Sequence, residues 1–299
     1  MNPTLQKVLC FSGLTADTVN RTSRYRFDIA GKGLNVCRVL SQLGKQAVHL
    51  TPLGGDFGPL FLALAEREGM AIRWVESGSP VRFCYTLIND RDGSVTELIE
   101  DARPVEGGTE ERIRAAYEAL LPEPHTVVIA GTRAPGFSDD LVPYMVRRAK
   151  EEGRRVVLDL RGSDLINSLP HGPDVIKPNL LEFAATFGPD LIRGEAVAGG
   201  GETLSRIREL CRSLCAQYRC GIVLTRGSKP VWYAQGDRFA EFPLEPVKPV
   251  NTTGSGDAFT AGLAAALGEG ASLAEAVAEG VRCGGLNAGF LQVGTIREL

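Results

Sequence analysis

Apolar and polar positions follow two alternating patterns along most of this chain of 299 residues. Short, continuous apolar runs, which are typical of strands buried on both faces, occupy residues 7–11, 126–130, 155–160 and 221–225. Segments with the period of a helix, such as residues 202–218, lie between such runs. This alternation predicts an α/β fold, with a doubly wound, mainly parallel sheet covered by helices on both faces.

Two segments do not fit a sheet that is buried on both faces. Residues 24–29 alternate polar with apolar positions, and residues 82–88 and 94–99 flank an Asp-Gly turn that favours a hairpin. We expect a small β layer near residues 12–29 and 82–103, serving either as a lid over a site or as the contact surface of a homodimer. No linker or repeat divides the chain, so a single domain is expected over residues 1–299.

Composition excludes several classes of protein. A hydrophobic content of 43% is ordinary for a globular protein, and a formal net charge of -3 offers no basic field for nucleic acid or an anionic membrane. Neither a signal peptide nor a membrane-spanning run is visible, which indicates a cytoplasmic protein. The seven cysteines are scattered and form no CxxC pair, so we expect core residues rather than disulfides or a zinc site.

The chemistry is concentrated where a loop gives way to a helix, at Gly254-Ser255-Gly256-Asp257. We predict that the helix begins at Asp257, after small residues that let a ligand approach the unpaired amides of a helix N-terminus. Such an end binds anions. The aspartate is then either a helix cap or a general base facing a phosphoryl group, and the motif alone does not separate these alternatives. Neither a P-loop nor a GxGxxG motif is present.

Three motifs in order resemble those of the PfkB, or ribokinase-like, carbohydrate kinases. They are residues 30–35, residues 177–182 with Lys-Pro-Asn and a following Glu, and residues 251–259. The Asn-Val-x-Arg-Val-Leu continuation of the first motif resembles the branch that phosphorylates sugar phosphates, including 1-phosphofructokinase, tagatose-6-phosphate kinase and the minor 6-phosphofructokinase. The resemblance covers nearly the whole chain.

The resemblance implies an ATP-dependent kinase that acts on a small sugar or sugar phosphate. It implies that Asp257 is the base and that the amides of Gly254, Ser255 and Gly256 hold the transferred phosphoryl group. It implies that the acceptor is bound by Asp17, Gly31, Lys32, Asn35 and Arg82. Of these, Arg82 would bind a phosphate group of the substrate. It implies these residues along ATP, with Asn179 and Glu182 acting on Mg²⁺ through water: Lys177, Asn179, Glu182, Thr225, Gly227 and Asn287.

Some positions depart from the pattern of the sugar-phosphate branch. Ala30 stands where that branch usually has glycine, and Ile99 stands where it has asparagine. These departures fall on the acceptor side, so a kinase for an unphosphorylated sugar or nucleoside and a non-catalytic ligand sensor remain alternatives. Three further arginines either form a different anion pocket or are solvated charges: Arg103, Arg133 and Arg161.

Overall fold

The computed structural model describes residues 1–188 and 201–298. Its strands are β1 (Thr4–Phe11), β2 (Arg24–Ala30), β3 (Val48–Leu53), β4 (Ala71–Glu76), β5 (Arg82–Asn89), β6 (Ser94–Ile99), β7 (Thr126–Ala130), β8 (Arg155–Asp159), β9 (Val175–Ile176), β10 (Gly221–Arg226), β11 (Lys229–Gln235) and β12 (Arg238–Phe242). Its α-helices are α1 (Lys32–Gln42), α2 (Gly58–Arg67), α3 (Thr109–Leu120), α4 (Leu141–Glu151), α5 (Gly162–Ser168), α6 (Leu180–Phe187), α7 (Gly201–Tyr218), α8 (Ser255–Gly268) and α9 (Leu273–Ala288).

The largest sheet has six strands in the order β12-β11-β10-β9-β8-β7. Strands β7 to β10 are parallel, and β11 and β12 add an antiparallel hairpin at one edge. Successive side chains of β8 enter opposite cores, because Leu158 packs in one hydrophobic cluster and Val157 in the other. The sheet is therefore buried on both faces, which confirms the predicted doubly wound α/β architecture.

Helix α8 has an apolar surface on nearly all sides and packs against both α1 and α9. Two glycines allow the contact with α9 to be close. A Cβ atom at Gly262 would lie 2.6 Å from the carbonyl oxygen of Glu279, and one at Gly280 would lie 2.7 Å from the ring of Phe259. This packing fixes the position of the N-terminus of α8, where the predicted catalytic motif lies.

A second sheet has four strands in the order β2-β1-β5-β6, and β3 pairs with β4 in a separate parallel ribbon. The four-stranded sheet contains the segments predicted as a small β layer. One of its two inner strands, β1, was predicted simply as a buried strand, and it belongs to this sheet and not to the six-stranded one. The single-domain organisation and the function of this layer stay predictions.

The seven cysteines are free and buried, as expected for core residues. Within residues 1–188 and 201–298, no cluster of three or more His, Cys, Asp or Glu side chains could hold a metal ion. No helix in that same part of the chain is long and apolar enough to cross a bilayer.

Candidate active site

The N-terminus of α8 forms the centre of the candidate site. The helix begins at Ser255, two residues earlier than predicted, and Gly254 is its N-cap with a φ of 82°. This backbone conformation favours glycine, and a Cβ atom here would lie in tight contact with the backbone nitrogen of Gly294, at 3.2 Å. Because the N-cap is Gly254, Asp257 lies in the first turn and does not cap the helix.

The backbone amides of this turn differ in their hydrogen bonding. The amide of Ser255 donates to the carbonyl oxygen of Thr252 at 3.2 Å. The amides of Gly254, Gly256 and Asp257 donate to no acceptor in the described part of the chain. Unpaired amides at a helix N-terminus attract anions. Of the three amides predicted to bind the phosphoryl group, those of Gly254 and Gly256 are unpaired, and the amide of Ser255 already donates a hydrogen bond. The unpaired amide of Asp257 adds a donor that was not predicted.

The carboxylate of Asp257 is buried, with 6% of the residue exposed. Its Oδ2 accepts a hydrogen bond of 2.7 Å from Nδ2 of Asn35 in α1. Burial raises the pKa of Asp257 to about 6; the Lys32 ammonium opposes this rise, and the charge of Asp159 adds to it. The carboxylate is therefore mostly ionised at neutral pH and more basic than an ordinary aspartate, as a general base requires.

Lys32 lies among carboxylates at the start of α1. Its Nζ is 3.3 Å from Oδ1 of Asp159 and 3.6 Å from Oε1 of Glu182. Burial by itself would lower the pKa of Lys32, but the charges of Asp159, Asp257 and Glu182 outweigh it and raise that pKa. Lys32 is therefore a fixed positive charge between the base and the start of α6.

Asp159, at the end of β8, was not among the residues predicted from the sequence. It is 1% exposed, and its Oδ2 lies 3.2 Å from Nζ of Lys177 and accepts a hydrogen bond of 2.8 Å from Thr260. Burial would raise its pKa, yet the ammonium groups of Lys177 and Lys32 hold that pKa below the usual value. The sequence could have indicated this residue, because an aspartate at the carboxyl end of a buried strand lies where open α/β sheets bind ligands.

Asn179 and Glu182 form a capping box at the start of α6. The amide of Glu182 donates to Oδ1 of Asn179 at 2.8 Å, and the amide of Asn179 donates to Oε2 of Glu182 at 2.9 Å. The other carboxylate oxygen of Glu182 faces Lys32. Thr225 bridges to Asn179 at the end of β10, so part of the predicted nucleotide-binding set is brought together.

Asn287 of α9 is fully buried and holds the loop that carries the predicted catalytic motif. Its Nδ2 donates to the carbonyl oxygen of Thr253 at 3.1 Å and to Oγ of Ser255 at 3.3 Å. Its Oδ1 accepts from the amides of Gly294 and Thr295. These contacts show that Asn287 holds the loop in place, which the sequence pattern did not indicate, and its predicted position along ATP stays a prediction. Gly227 lies in an exposed turn with a φ of 64°.

The remaining predicted acceptor residues lie around the start of α1 and on the four-stranded sheet. Gly31 is the N-cap of α1, with a φ of 121°. Arg82 begins β5; its Nη1 donates to the carbonyl oxygen of Glu100, and its buried Nε has no partner among the described residues. Asp17 is exposed, with a φ of 58°, in the loop between β1 and β2.

The three further arginines have different surroundings. Arg133 is held by Asp164 and Asp139, both at 2.7 Å, and donates to the carbonyl oxygens of Phe137 and Ser138. These contacts occupy its guanidinium, so it is a structural residue. Arg103 and Arg161 are exposed.

Comparison with known proteins agrees with this arrangement. The family model for the pfkB family of carbohydrate kinases matches residues 6–296. The structure is similar to phosphofructokinase-2 from Escherichia coli, with a TM-score of 0.83 and 21% identity over 96% of this chain and 90% of that one. It is also similar to a possible 1-phosphofructokinase from Thermotoga maritima, with a TM-score of 0.85 and 21% identity over 96% and 90% of the two chains. Ribokinase from Thermotoga maritima aligns with a TM-score of 0.74 and 18% identity over 98% and 92%.

The fold is thus that of the ribokinase-like kinases. The chain belongs to the pfkB family of carbohydrate kinases. It is a phosphotransferase with an alcohol acceptor, and its family implies a sugar or sugar phosphate as substrate and ATP as phosphoryl donor.

Proposed function

We propose that this kinase phosphorylates a hydroxyl of a sugar phosphate, of the fructose 1-phosphate, fructose 6-phosphate or tagatose 6-phosphate type. The observation that carries the chemistry is the buried carboxylate of Asp257 beside unpaired amides at the N-terminus of α8. Asp257 takes the proton of the acceptor hydroxyl as its oxygen attacks the γ-phosphorus of ATP. The bond from that phosphorus to the bridging oxygen breaks, and ADP leaves.

The amides of Gly254, Gly256 and Asp257 stabilise the charge of the transferred phosphoryl group in this proposal. Lys32 lies between the carboxylates of Asp257 and Glu182, where it neutralises charge near both reacting ends. Lys177 is buried against Asp159, so it acts through that pair. We assign Thr225 and Gly227 to the nucleotide because Thr225 is the last but one residue of β10 and Gly227 follows the strand, at the carboxyl edge of the sheet.

The oxygen donors at the start of α6 fit Mg²⁺ held through water. Oε1 of Glu182 is outside the capping box but lies 3.6 Å from Nζ of Lys32, and Oδ1 of Asn179 already accepts a hydrogen bond. Mg²⁺ keeps several waters and needs only one or two carboxylates besides the phosphates. Glu182 and Asn179 can therefore hold it through water although both side chains also make contacts within the protein. When bound, the ion neutralises charge on the ATP phosphates.

Two observations favour an acceptor that is already phosphorylated. The Nε of Arg82 is buried without a partner in the part of the chain that the structure describes, and an unpaired guanidinium N–H favours an anionic ligand. Similar solved structures include Escherichia coli phosphofructokinase-2 in complex with fructose-6-phosphate, at 22% identity. We therefore assign Arg82 to the acceptor phosphate, and Asp17, Gly31 and Asn35 to the acceptor end of the site.

A panel of acceptors tests this function. ADP release from Mg-ATP is measured with the three sugar phosphates, free hexoses, ribose and nucleosides. A phosphorylated hexose should give the highest kcat/KM. Turnover with only an unphosphorylated acceptor would keep Asp257 as base but contradict the proposed substrate class.

Replacing Arg82 with methionine should raise KM for a phosphorylated acceptor roughly 10- to 100-fold, because a charge-assisted hydrogen bond contributes about 1.5–3 kcal/mol. KM for ATP should not change. The exposed Arg103 provides a matched control, since Arg103→Met removes the same charge from a nearby surface. Equal KM values for the two variants would show that Arg82 does not bind the acceptor phosphate.

We further propose that the four-stranded sheet forms a homodimer. Tyr25, Phe27 and Leu98 share one face of this sheet by register and are 59%, 37% and 52% exposed. Lys7 lies on the same face between Phe27 and Tyr85, with its ammonium over the ring of Tyr25. Exposed apolar side chains grouped on one sheet face in this way favour an interaction surface. Escherichia coli phosphofructokinase-2 has a tetrameric inhibited form, which shows that a similar fold assembles.

Sedimentation velocity tests the dimer. The wild type should sediment as a dimer, and Leu98→Asp should weaken association at least tenfold, since a charge placed in an apolar interface is left unpaired. Trp74→Asp places the same charge on an exposed aromatic of β4, outside this sheet, and should not change the oligomeric state. A monomeric wild type, or equal effects of the two substitutions, would contradict this interface.

A further inference from the structure

Arg38 is a buried cation that the proposed chemistry leaves without a task. It lies in α1 and is 3% exposed. Its Nε donates to Oε2 of Glu68 at 2.7 Å, and its Nη2 donates to the carbonyl oxygen of Ile29 at 2.7 Å. Its Nη1 donates to the carbonyl oxygen of Val293 at 3.0 Å and to Oδ1 of Asn35 at 3.3 Å. Burial of a guanidinium is costly unless it is paired in this way.

These contacts join three parts of the molecule at one side chain. Ile29 is in β2 of the four-stranded sheet, Glu68 follows α2, and Val293 follows α9. Val293 also lies against the start of α8, because a Cβ atom at Gly254 would be 3.2 Å from the Cβ of Val293. Arg38 therefore connects the four-stranded sheet to the loop that carries the catalytic motif.

The contact with Asn35 determines the orientation of its amide group. A guanidinium has only donors, so it selects the oxygen of the amide, and this leaves Nδ2 to donate to Asp257. The reversed amide would place its NH₂ group against a cation and its oxygen against a carboxylate. Arg38 and the Asp257 carboxylate thus favour the same orientation, in which Asn35 holds the proposed base.

We propose that Arg38 is a positioning residue for phosphoryl transfer, which fixes the Asn35 amide and, through it, the Asp257 carboxylate relative to the four-stranded sheet. The inference rests on the proposed role of Asp257. Lysine cannot replace Arg38 in this task, because a single ammonium does not reproduce the planar fork that reaches four acceptors.

Steady-state kinetics of single and double variants test the inference, with the acceptor that the wild type turns over best. Arg38→Lys and Asn35→Ala should each lower kcat roughly 10- to 100-fold, the loss expected for a misplaced catalytic group. KM for ATP should change less than about threefold, because ground-state binding is kept. The double variant should have the kcat of Asn35→Ala, since Arg38 acts through Asn35.

Gln42 provides the matched control for a structural role. It lies on the same helix, is buried, and donates to the carbonyl oxygen of Gly294 at 2.9 Å without contacting Asn35. The effects of Gln42→Met and Asn35→Ala on kcat should multiply. If the effects of Arg38→Lys and Asn35→Ala also multiply, Arg38 is only a structural residue and the inference is wrong.

A second readout needs no acceptor. The carboxyl ¹³C resonance of Asp257, assigned by its loss in Asp257→Asn, is titrated in labelled protein. The groups that act on Asp257 are Asn35 and Lys32 of α1, Asp159 of β8 and Lys177, which follows β9. Arg38→Lys keeps all four, so a higher pKa of Asp257 in this variant reports the lost Asn35 hydrogen bond, and an unchanged pKa overturns the inference.

The two readouts separate this inference from the proposed function. A wild type that turns over no acceptor would contradict the function, and the titration would still decide the role of Arg38. Should Arg38→Lys fail to fold, Glu68→Gln loosens the same guanidinium without removing it and should shift the pKa of Asp257 in the same direction. An unchanged pKa there would likewise contradict the inference.

Discussion

Asp257→Asn lowers kcat roughly 10²- to 10⁴-fold with every acceptor, the contribution expected of a general base. Asparagine keeps the shape of the side chain, and its oxygen still accepts the hydrogen bond that Asn35 donates. KM for ATP changes little, because the substitution removes proton transfer and leaves the amides of α8 in place. The measurement is ADP release at saturating substrates.

The stability of Asp257→Asn separates lost chemistry from lost folding. Burial raises the pKa of Asp257 from 3.8 to about 6, so the ionised carboxylate costs up to about 3 kcal/mol of folding stability above pH 6. This cost declines as the pH falls through 6, because the folded protein then binds the proton. The variant should therefore be at least as stable as the wild type at pH 7.

Exposed Asp237 offers a control, and Asp237→Asn should keep full activity. Near-wild-type turnover in Asp257→Asn would refute its assigned role.

Asp159→Asn destabilises the protein by about 3–5 kcal/mol at neutral pH, because it leaves the buried ammonium of Lys177 without its counter-charge. Asp159 is 1% exposed and lies between Lys177 and Lys32, at 3.2 Å and 3.3 Å. Turnover falls as well, since Lys32 loses one of the carboxylates that hold it. Chemical denaturation with the linear extrapolation method measures the loss of stability.

Asp174 supplies the control for Asp159. Its carboxylate pairs with Lys150 at 2.6 Å, but its side chain is 36% exposed, and ion pairs in contact with solvent contribute about 0–1 kcal/mol. Asp174→Asn should therefore cost less than Asp159→Asn. The pKa of Asp159 is lower in the folded state than the value of 3.8 in the unfolded state. Its contribution to folding stability is therefore fully present above pH 3.8 and is lost as the pH falls through the lower folded pKa. Equal stability of Asp159→Asn and wild type would show that the buried pair does not stabilise the fold.

Local patterns were enough to predict the architecture. The apolar runs of β7, β8 and β10 have no polar face, and this property alone requires helices on both sides of their sheet. The pairing of the strands was harder to predict from the sequence. Nothing in the sequence of β1 shows that this strand pairs with β5, far along the chain, and not with a strand of the six-stranded sheet.

The candidate site was predicted where its residues are close in sequence. Asp257 and its glycines form one motif, although the start of α8 was placed two residues late because helix ends are set by single backbone bonds. Asp159 and Arg38 were not assigned roles. Asp159 depends on Lys32, and Arg38 depends on Val293, and the fold creates both contacts across more than a hundred residues. The contact of Arg38 with Asn35 is local, but nothing in the sequence shows that it reaches the base.

The close packing of α8 and α9 has a consequence for natural variation of this sequence. Gly262 and Gly280 have almost no room for a Cβ atom. Another residue at Gly262 must push the two helices apart, and one at Gly280 must displace the ring of Phe259 in the first turns of α8. Such a shift moves the N-terminus of α8, and with it the amides and carboxylate assigned to phosphoryl transfer. Selection for activity therefore acts on two positions along a helix interface. A natural substitution that abolishes activity at either position shows that the backbone geometry of α8 has changed, and it does not show that the glycine contacts a ligand.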